Sequence, residues 1–178
     1  DFAQSGYDNT FAFFAEDTWN FADKWIAVYG GRIDYNDFRE DATILLPRAG
    51  LIWKTTDRFT LKYLYNTGYI RPYVQQSLGT AGEPLQIDDD TYWVGADKSE
   101  KVDSHDFQVL YNHEDIYVGA TFYYMLYQDF IQWPGVWFRE DPDYRATFQN
   151  VGDVTSKGVE LDFKVQLVDP LAVYGNYA

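Results

Sequence analysis

The segment from Val159 to Leu167 reads "VELDFKVQL". Val159, Leu161, Phe163, Val165 and Leu167 share one parity, and Glu160, Asp162, Lys164 and Gln166 share the other. In an extended chain, successive side chains point to opposite faces. The segment therefore has one wholly apolar face and one face of charges and an amide. A helical period of about 3.6 residues mixes the two sets around the axis, so the pattern specifies a strand. Such a strand needs apolar material against one side along its whole length. A protein core and a lipid bilayer both meet that need, and the alternation alone leaves the choice open.

Composition narrows the function classes. The chain has 178 residues and a formal charge of -14, with only 14 Lys plus Arg. A nucleic-acid surface needs a basic footprint, so no nucleic-acid partner is expected. Aromatics make up 20% of the residues, a load that suits strands and apolar surfaces ending at water. Cysteine is absent, which excludes disulfide frameworks, cysteine-based zinc sites and thiol nucleophiles. No run approaches the roughly 20 apolar residues of a membrane helix. A barrel strand needs only about 10 residues of alternation, so strand spans stay open.

Eight strand-like segments are predicted: Phe11–Trp19, Lys24–Tyr35, Leu46–Lys54, Phe59–Ile70, Ser104–Asn112, Ile116–Gln132, Thr147–Leu167 and Leu171–Ala178. Four connections are tight: Asn20–Asp23, Thr55–Arg58, His113–Asp115 and Val168–Pro170. They carry the Asp, Asn and Pro that turns favour. Three are longer: Asn36–Leu45, Arg71–Asp103 and Trp133–Ala146. Short and long connections alternate strictly, as in outer-membrane barrels with plain turns at one end and elaborated loops at the other. Several segments exceed the ~5–6 residues usual for globular strands. The fold class expected is all-β, an antiparallel up-and-down transmembrane β-barrel. Because the first strand starts and the last one stops at the loop end, the chain is expected to be an interior piece of a larger barrel.

Several motifs, in order, resemble the barrel of TonB-dependent outer-membrane receptors in its middle-to-late portion. "NVGDVTSKGVELDF" (Asn150–Phe163) is similar to the family signature carrying Asn150, Val151, Gly152, Gly158 and Glu160. "YNTGYIRP" resembles a strand end with Gly68, Arg71 and Pro72, although Arg71 directly precedes Pro72, one place later than the common form. "KSEKVDSHDFQVLY" resembles a Lys-Pro-Glu re-entry, with Lys98 and Glu100 in place and Ser99 where Pro is usual. "YGGRIDY" and "LPRAGLIWK" also look like family strands. The resemblance covers nearly the whole chain, residues 1–178. It implies a barrel of about 22 strands, of which this chain supplies eight, with the plug and C-terminal strands absent. It also implies uptake of a scarce ligand, such as a ferric siderophore, haem, cobalamin or glycan, across a Gram-negative outer membrane. Energy would come from the TonB complex through the plug, and outer-membrane lipid would be the other partner. No enzyme activity and no cofactor are expected.

Arg32, Asp34, Arg48, Lys54, Lys62 and Asn66, together with Glu160, Asp162, Lys164 and Gln166, are expected on the lumen side. They read first as charge-paired lining and second as plug contacts. Val159, Leu161, Phe163, Val165 and Leu167 are assigned to lipid. Ligand contact is expected from the long loops, through Tyr92, Trp93, Trp133, Trp137, Arg139 and Arg145. Their rings can stack on catechol, haem or sugar, and their guanidinium groups can pair with carboxylates. The same aromatics could instead form an interfacial girdle. Asp88, Asp89 and Asp90 lack the spacing of a calcium loop and read as a solvated acidic stretch. His105 and His113 suggest no metal pair, and no metal site is expected. A passive porin-like or adhesion barrel is the first alternative. A soluble aromatic-rich glycan-binding β-domain is the second.

Overall fold

A computed structural model describes residues 9–36, 42–72, 85–86, 92–93, 96, 98–132 and 148–178, with backbone only at 85–86 and 92–93. Twelve strands follow in chain order: β1 (Thr10–Ala22), β2 (Trp25–Asn36), β3 (Thr43–Lys54), β4 (Phe59–Ile70), β5 (Leu85–Gln86), β6 (Tyr92–Trp93), β7 (Glu100–His113), β8 (Ile116–Gln128), β9 (Ile131–Gln132), β10 (Gln149–Asn150), β11 (Val154–Val168) and β12 (Leu171–Tyr177). The eight long strands form one antiparallel sheet in the order β1-β2-β3-β4-β7-β8-β11-β12. This is the expected meander. The short connections contract to 23–24, 55–58, 114–115 and 169–170, and all lie at one end of the sheet.

Two expected strands are interrupted. Ile116–Gln132 divides into β8 and β9, and Thr147–Leu167 into β10 and β11. The breaks face each other. Asp129 adopts φ 52° and Gly152 adopts φ 106°. Phe130 donates to the carbonyl of Gly152 at 2.9 Å, and Val151 donates to that of Phe130 at 2.9 Å. Pairing resumes in the same register beyond the kink, with Asn150 opposite Ile131 and Val154 opposite Tyr127. The two strands bend together rather than slip. An expected uniform alternation missed this because a left-handed residue in each strand offsets the other.

Cross-strand register sorts the side chains into rows. Trp19, Ala27, Leu51, Tyr63, Phe107, Phe122 and Val159 form one continuous row across seven strands. Trp53, Leu61, Val109, Ala120, Leu161 and Tyr177 form the next. Phe163 pairs with Val118, and Val118 with Tyr111. The opposite face carries Ile52, Lys62, Gln108, Thr121 and Glu160 in one row, and Arg48, Asn66, Ser104 and Met125 in another. Every residue expected on the lumen side shares this second face. A cavity of about 740 Å³ lies on it near the turns, lined in part by Ile26, Ile52, Lys54, Lys62, Leu110 and Tyr117.

Nothing among the described residues covers the apolar face. Leu51, Phe107, Phe122, Val159, Leu161 and Phe163 are all exposed, and the buried apolar side chains among the described residues are Ile44, Pro72 and Ala96. The face ends in aromatic residues on both sides. Toward the turns, Trp25 stacks on Trp53 with centroids 5.0 Å apart, and Phe59 leans on Tyr111 at 4.8 Å. Toward the loops the rings carry polar bonds. Tyr29 donates to Asp17 at 2.9 Å, Tyr65 donates to Asp103 at 3.1 Å, and Tyr63 shares a 2.8 Å bond with His105. An apolar band flanked by aromatic girdles is the surface a barrel turns toward lipid.

The paired kink supplies a direct test. At φ 106° an L side chain is strained, although nothing lies within 4 Å of a Cβ added at Gly152. Gly152→Val in the full-length protein is expected to cost about 1–3 kcal/mol in chemical unfolding. The exposed neighbour Val151→Ala is expected to change stability by less than about 1 kcal/mol.

Candidate functional site

The loop-side end of the sheet holds two polar clusters. The first explains the motif residues. Asn150, in β10, donates its Nδ2 to the carbonyl of Asp129 at 2.6 Å and to that of Lys98 at 3.1 Å. Its Oδ1 accepts from the Lys98 amide at 3.2 Å. The side-chain amide thus copies the two-way exchange of a strand ladder. Lys98 Nζ approaches Asp129 Oδ1 at 3.6 Å. The largely buried Glu100 accepts from the amide of Ile131 at 3.1 Å. These bonds lace the entry of β7 to the β8–β9 kink and to β10. Asn150 and Gly152, with Lys98 and Glu100, therefore hold the rim from which the connections 73–97 and 133–147 depart.

The remaining motif residues act along the sheet. Gly158 pairs with Tyr123, and a Cβ there would sit 2.5 Å from the Tyr123 hydroxyl. Glycine at this point lets the ring lie across the neighbouring strand. Glu160 is exposed on the polar face. Val151 is exposed at the kink, Gly68 pairs with Val102, and Pro72 is buried.

The second cluster spans β2 to β4. Pro47 has no amide hydrogen, and the β3–β4 ladder ends beside it at Arg48 opposite Asn66. Thr67 compensates by donating its hydroxyl to the Pro47 carbonyl at 2.8 Å. Beyond the break, Tyr69 reaches across β3 to donate to Asp34. Asp34 also takes an ion-paired bond from Arg32 Nε at 2.6 Å, and its side chain is fully buried. Arg71 lies over the Tyr69 ring at 5.1 Å. Arg48 pairs with Glu16 at 2.7 Å, linking β3 to β1 over Gly30 of β2.

The expected ligand contacts fall differently. Tyr92 and Trp93 form β6, paired with Gln86 and Leu85 of β5. This short hairpin sits inside the connection expected to be a loop throughout. Trp133, Trp137, Arg139 and Arg145 lie outside the described residues, as does the acidic stretch Asp88–Asp90. The clusters also use residues not singled out from the sequence, among them Asp129, Tyr69, Pro47, Thr67 and Glu16. Asp129 had a signal in "YQDFIQ", a turn-forming residue inside an otherwise strand-like run. Tyr69 had none, because its partner lies two strands away.

A family profile described as the TonB dependent receptor-like β-barrel matches residues 1–178. The chain belongs to the TonB-dependent receptor β-barrel family. Solved structures share its fold at low identity. The siderophore receptor PirA from Pseudomonas aeruginosa superposes with a TM-score of 0.77 at 16% identity, over 95% of this chain and 33% of that one. The ferric enterobactin receptor PfeA from Pseudomonas aeruginosa, in complex with enterobactin, gives 0.75 at 22% identity, over 95% and 26%. The copper transporter OprC gives 0.71 at 21% identity, over 95% and 28%. This TonB-dependent receptor chain thus spans about a quarter to a third of the length of these proteins. No curated protein matches it significantly in sequence.

The Asn150 lace is testable by substitution. Asn150→Ala leaves the Lys98 amide and the Asp129 carbonyl without their partner, and is expected to cost about 1–3 kcal/mol. Hydrogen exchange should quicken at 98–104 and 128–132 and stay unchanged at the turn end. Asn150→Asp keeps the acceptor for Lys98 but sets a carboxylate oxygen against the carbonyls of Asp129 and Lys98, so a loss at least as large as that of Asn150→Ala is expected.

Proposed function

We propose that this chain forms part of the wall of a TonB-coupled transport receptor in the outer membrane of a Gram-negative bacterium. The receptor takes up a scarce small ligand of the metal-chelate kind. The family match over the whole chain carries this reading. The siderophore and copper proteins among the structural neighbours support a metal-related cargo. The exposed apolar band, with Val159, Leu161, Phe163, Val165 and Leu167, meets lipid. The polar face lines a lumen that a plug elsewhere in the parent protein occupies. Ligand contact falls to Tyr92, Trp93, Trp133, Trp137, Arg139 and Arg145, held by the rim that Asn150 and Glu100 brace. The chain needs no cofactor and catalyses no reaction.

A passive porin-like barrel is the competing reading, and uptake decides between them. Cells lacking the parent gene are complemented with it, and uptake of radiolabelled ferric chelates is followed with and without functional TonB. Uptake is expected only when both the receptor and TonB are present. Equal uptake without TonB favours the passive barrel. Trp133→Ala and Trp137→Ala are each expected to weaken chelate binding about tenfold or more, with normal amounts of receptor in the membrane.

A further inference from the structure

We infer that the turn-side end of the polar face is a docking surface for an acidic peptide segment with an apolar side chain at its centre. The inference rests on the reading that this face lines a lumen occupied by another part of the parent protein. It names the chemistry that this other part brings here. The polar face carries an apolar island close to the turns. Ile26 stands opposite Ile52 between β2 and β3, and both line the cavity of about 740 Å³ with Leu110 of β7. One row further from the turns, Val28 and Leu64 flank Gly50, where an added Cβ would lie 3.7 Å from Val28 and 3.1 Å from Leu64. All five side chains are half-buried. Water is a poor cover for contiguous apolar side chains, so this part of the face calls for an apolar partner.

Cations border the island. Lys62 stands opposite Ile52, and Lys54 stands opposite Thr60, the neighbour of Leu110. Lys24 and Arg58 lie in the β1–β2 and β3–β4 turns and line the same cavity. Lys24 donates to the Thr55 carbonyl at 3.2 Å. Among the described residues none of these cations makes an ion pair, and every residue of the short connections is described. Asp23 and Asp57 line the cavity too, so four cations against two carboxylates leave a local charge of +2 in a chain of -14. The positive sign belongs to this half of the turn end, since the β7–β8 and β11–β12 turns carry Glu114, Asp115 and Asp169. An apolar centre with a charged rim is the anatomy of a protein interface, and the rim selects the sign of the partner. The island crosses three neighbouring strands, about 10 Å. One small anion cannot cover that width and meet the rim as well. A peptide segment does both, with an apolar side chain over Ile26 and Ile52 and carboxylates toward Lys54, Arg58 and Lys62.

The test uses the full-length receptor in detergent and needs no transport. A photoreactive benzoylphenylalanine replaces Ile52, and the cross-linked peptide is identified by mass spectrometry. The expected partner is a segment of the same polypeptide with more Asp and Glu than Lys and Arg around the linked residue. The same probe in place of Leu51, on the apolar face, is expected to give no such product. Separately, Ile52→Cys is labelled with a water-soluble maleimide, with Asp115→Cys as the exposed reference. The thiol at 52 is expected to react at least tenfold more slowly than that at 115. Adding Lys54→Glu and Lys62→Glu is expected to speed labelling at 52 at least fivefold, because reversed charge expels an acidic segment. New carboxylates beside a thiol slow its intrinsic reaction, so a rise reports uncovering alone. Reversal of Lys101 and Lys157 to Glu is expected to change nothing at 52. Retained heat-modifiable gel migration certifies each variant. If the double reversal does not fold, Lys54→Gln with Lys62→Gln decides, with at least a twofold rise expected. Equal labelling at 52 and 115 in the unreversed receptor overturns the surface together with the occupied lumen. A protected thiol at 52 that ignores the charge changes, or a cross-link to a neutral or basic segment or to a separate protein, overturns the docking surface alone.

Discussion

The antiparallel ladder is the interaction on which the rest depends. In a bilayer each unpaired backbone group costs several kcal/mol, so a spanning sheet must pair residue for residue. Here the register between β7 and β8 holds without a shift from Lys101 opposite Gln128 to His113 opposite Ile116. That between β4 and β7 holds from Phe59 opposite Tyr111 to Ile70 opposite Glu100. Constant register keeps parity constant across strands. Each strand's private alternation thereby becomes one shared apolar face and one shared polar face. A slip of one residue in any strand would put its charges among its neighbours' aromatics.

Toward the loops, side chains take over bonds that the ladder lacks. Pro47 ends the β3–β4 pairing, and the Thr67 hydroxyl accepts the task of reaching its carbonyl. Asp129 and Gly152 bend β8–β9 and β10–β11, and Asn150 closes the gap to Asp129 and Lys98. At the turn end the departures are register shifts, between Asn20 and Ala22 and between Gln166 and Val168. This asymmetry separates two jobs: regular strands build the wall, and polar laces brace the places where long connections leave it. The motif running from Asn150 to Glu160 thus has a mechanical content. Its first part is a rim brace, Gly158 is a seat for Tyr123, and Glu160 stands on the polar face.

Much of this was legible in the sequence. Period-two alternation and the strict order of tight and long connections located the strands and both faces, because both signals are local. The strand ends were less legible. Glu100 to Asp103 carry mostly polar side chains, yet they belong to β7 because β4 pairs with them. The kink escaped because Gly152 and Asp129 compensate across strands, and compensation has no trace in either segment alone. Asn150 was recognisable as a family marker without a reason. Its partners are 21 and 52 residues away in sequence, so the reason appears only in three dimensions. The pairing of Tyr69 with Asp34 is hidden in the same way.

The central claim is that odd positions of β11 meet lipid and even positions meet the lumen. The chain has no cysteine of its own, which suits a scan of single cysteines from 159 to 167. Each is placed in an otherwise cysteine-free full-length receptor, reconstituted in vesicles and labelled with a polarity-sensitive fluorophore. Lipid-borne quenchers should act at 159, 161, 163 and 165. Water-soluble quenchers, where they reach at all, should act at 160, 162, 164 and 166. Quenching without a period of two, or with the parities exchanged, would contradict the account.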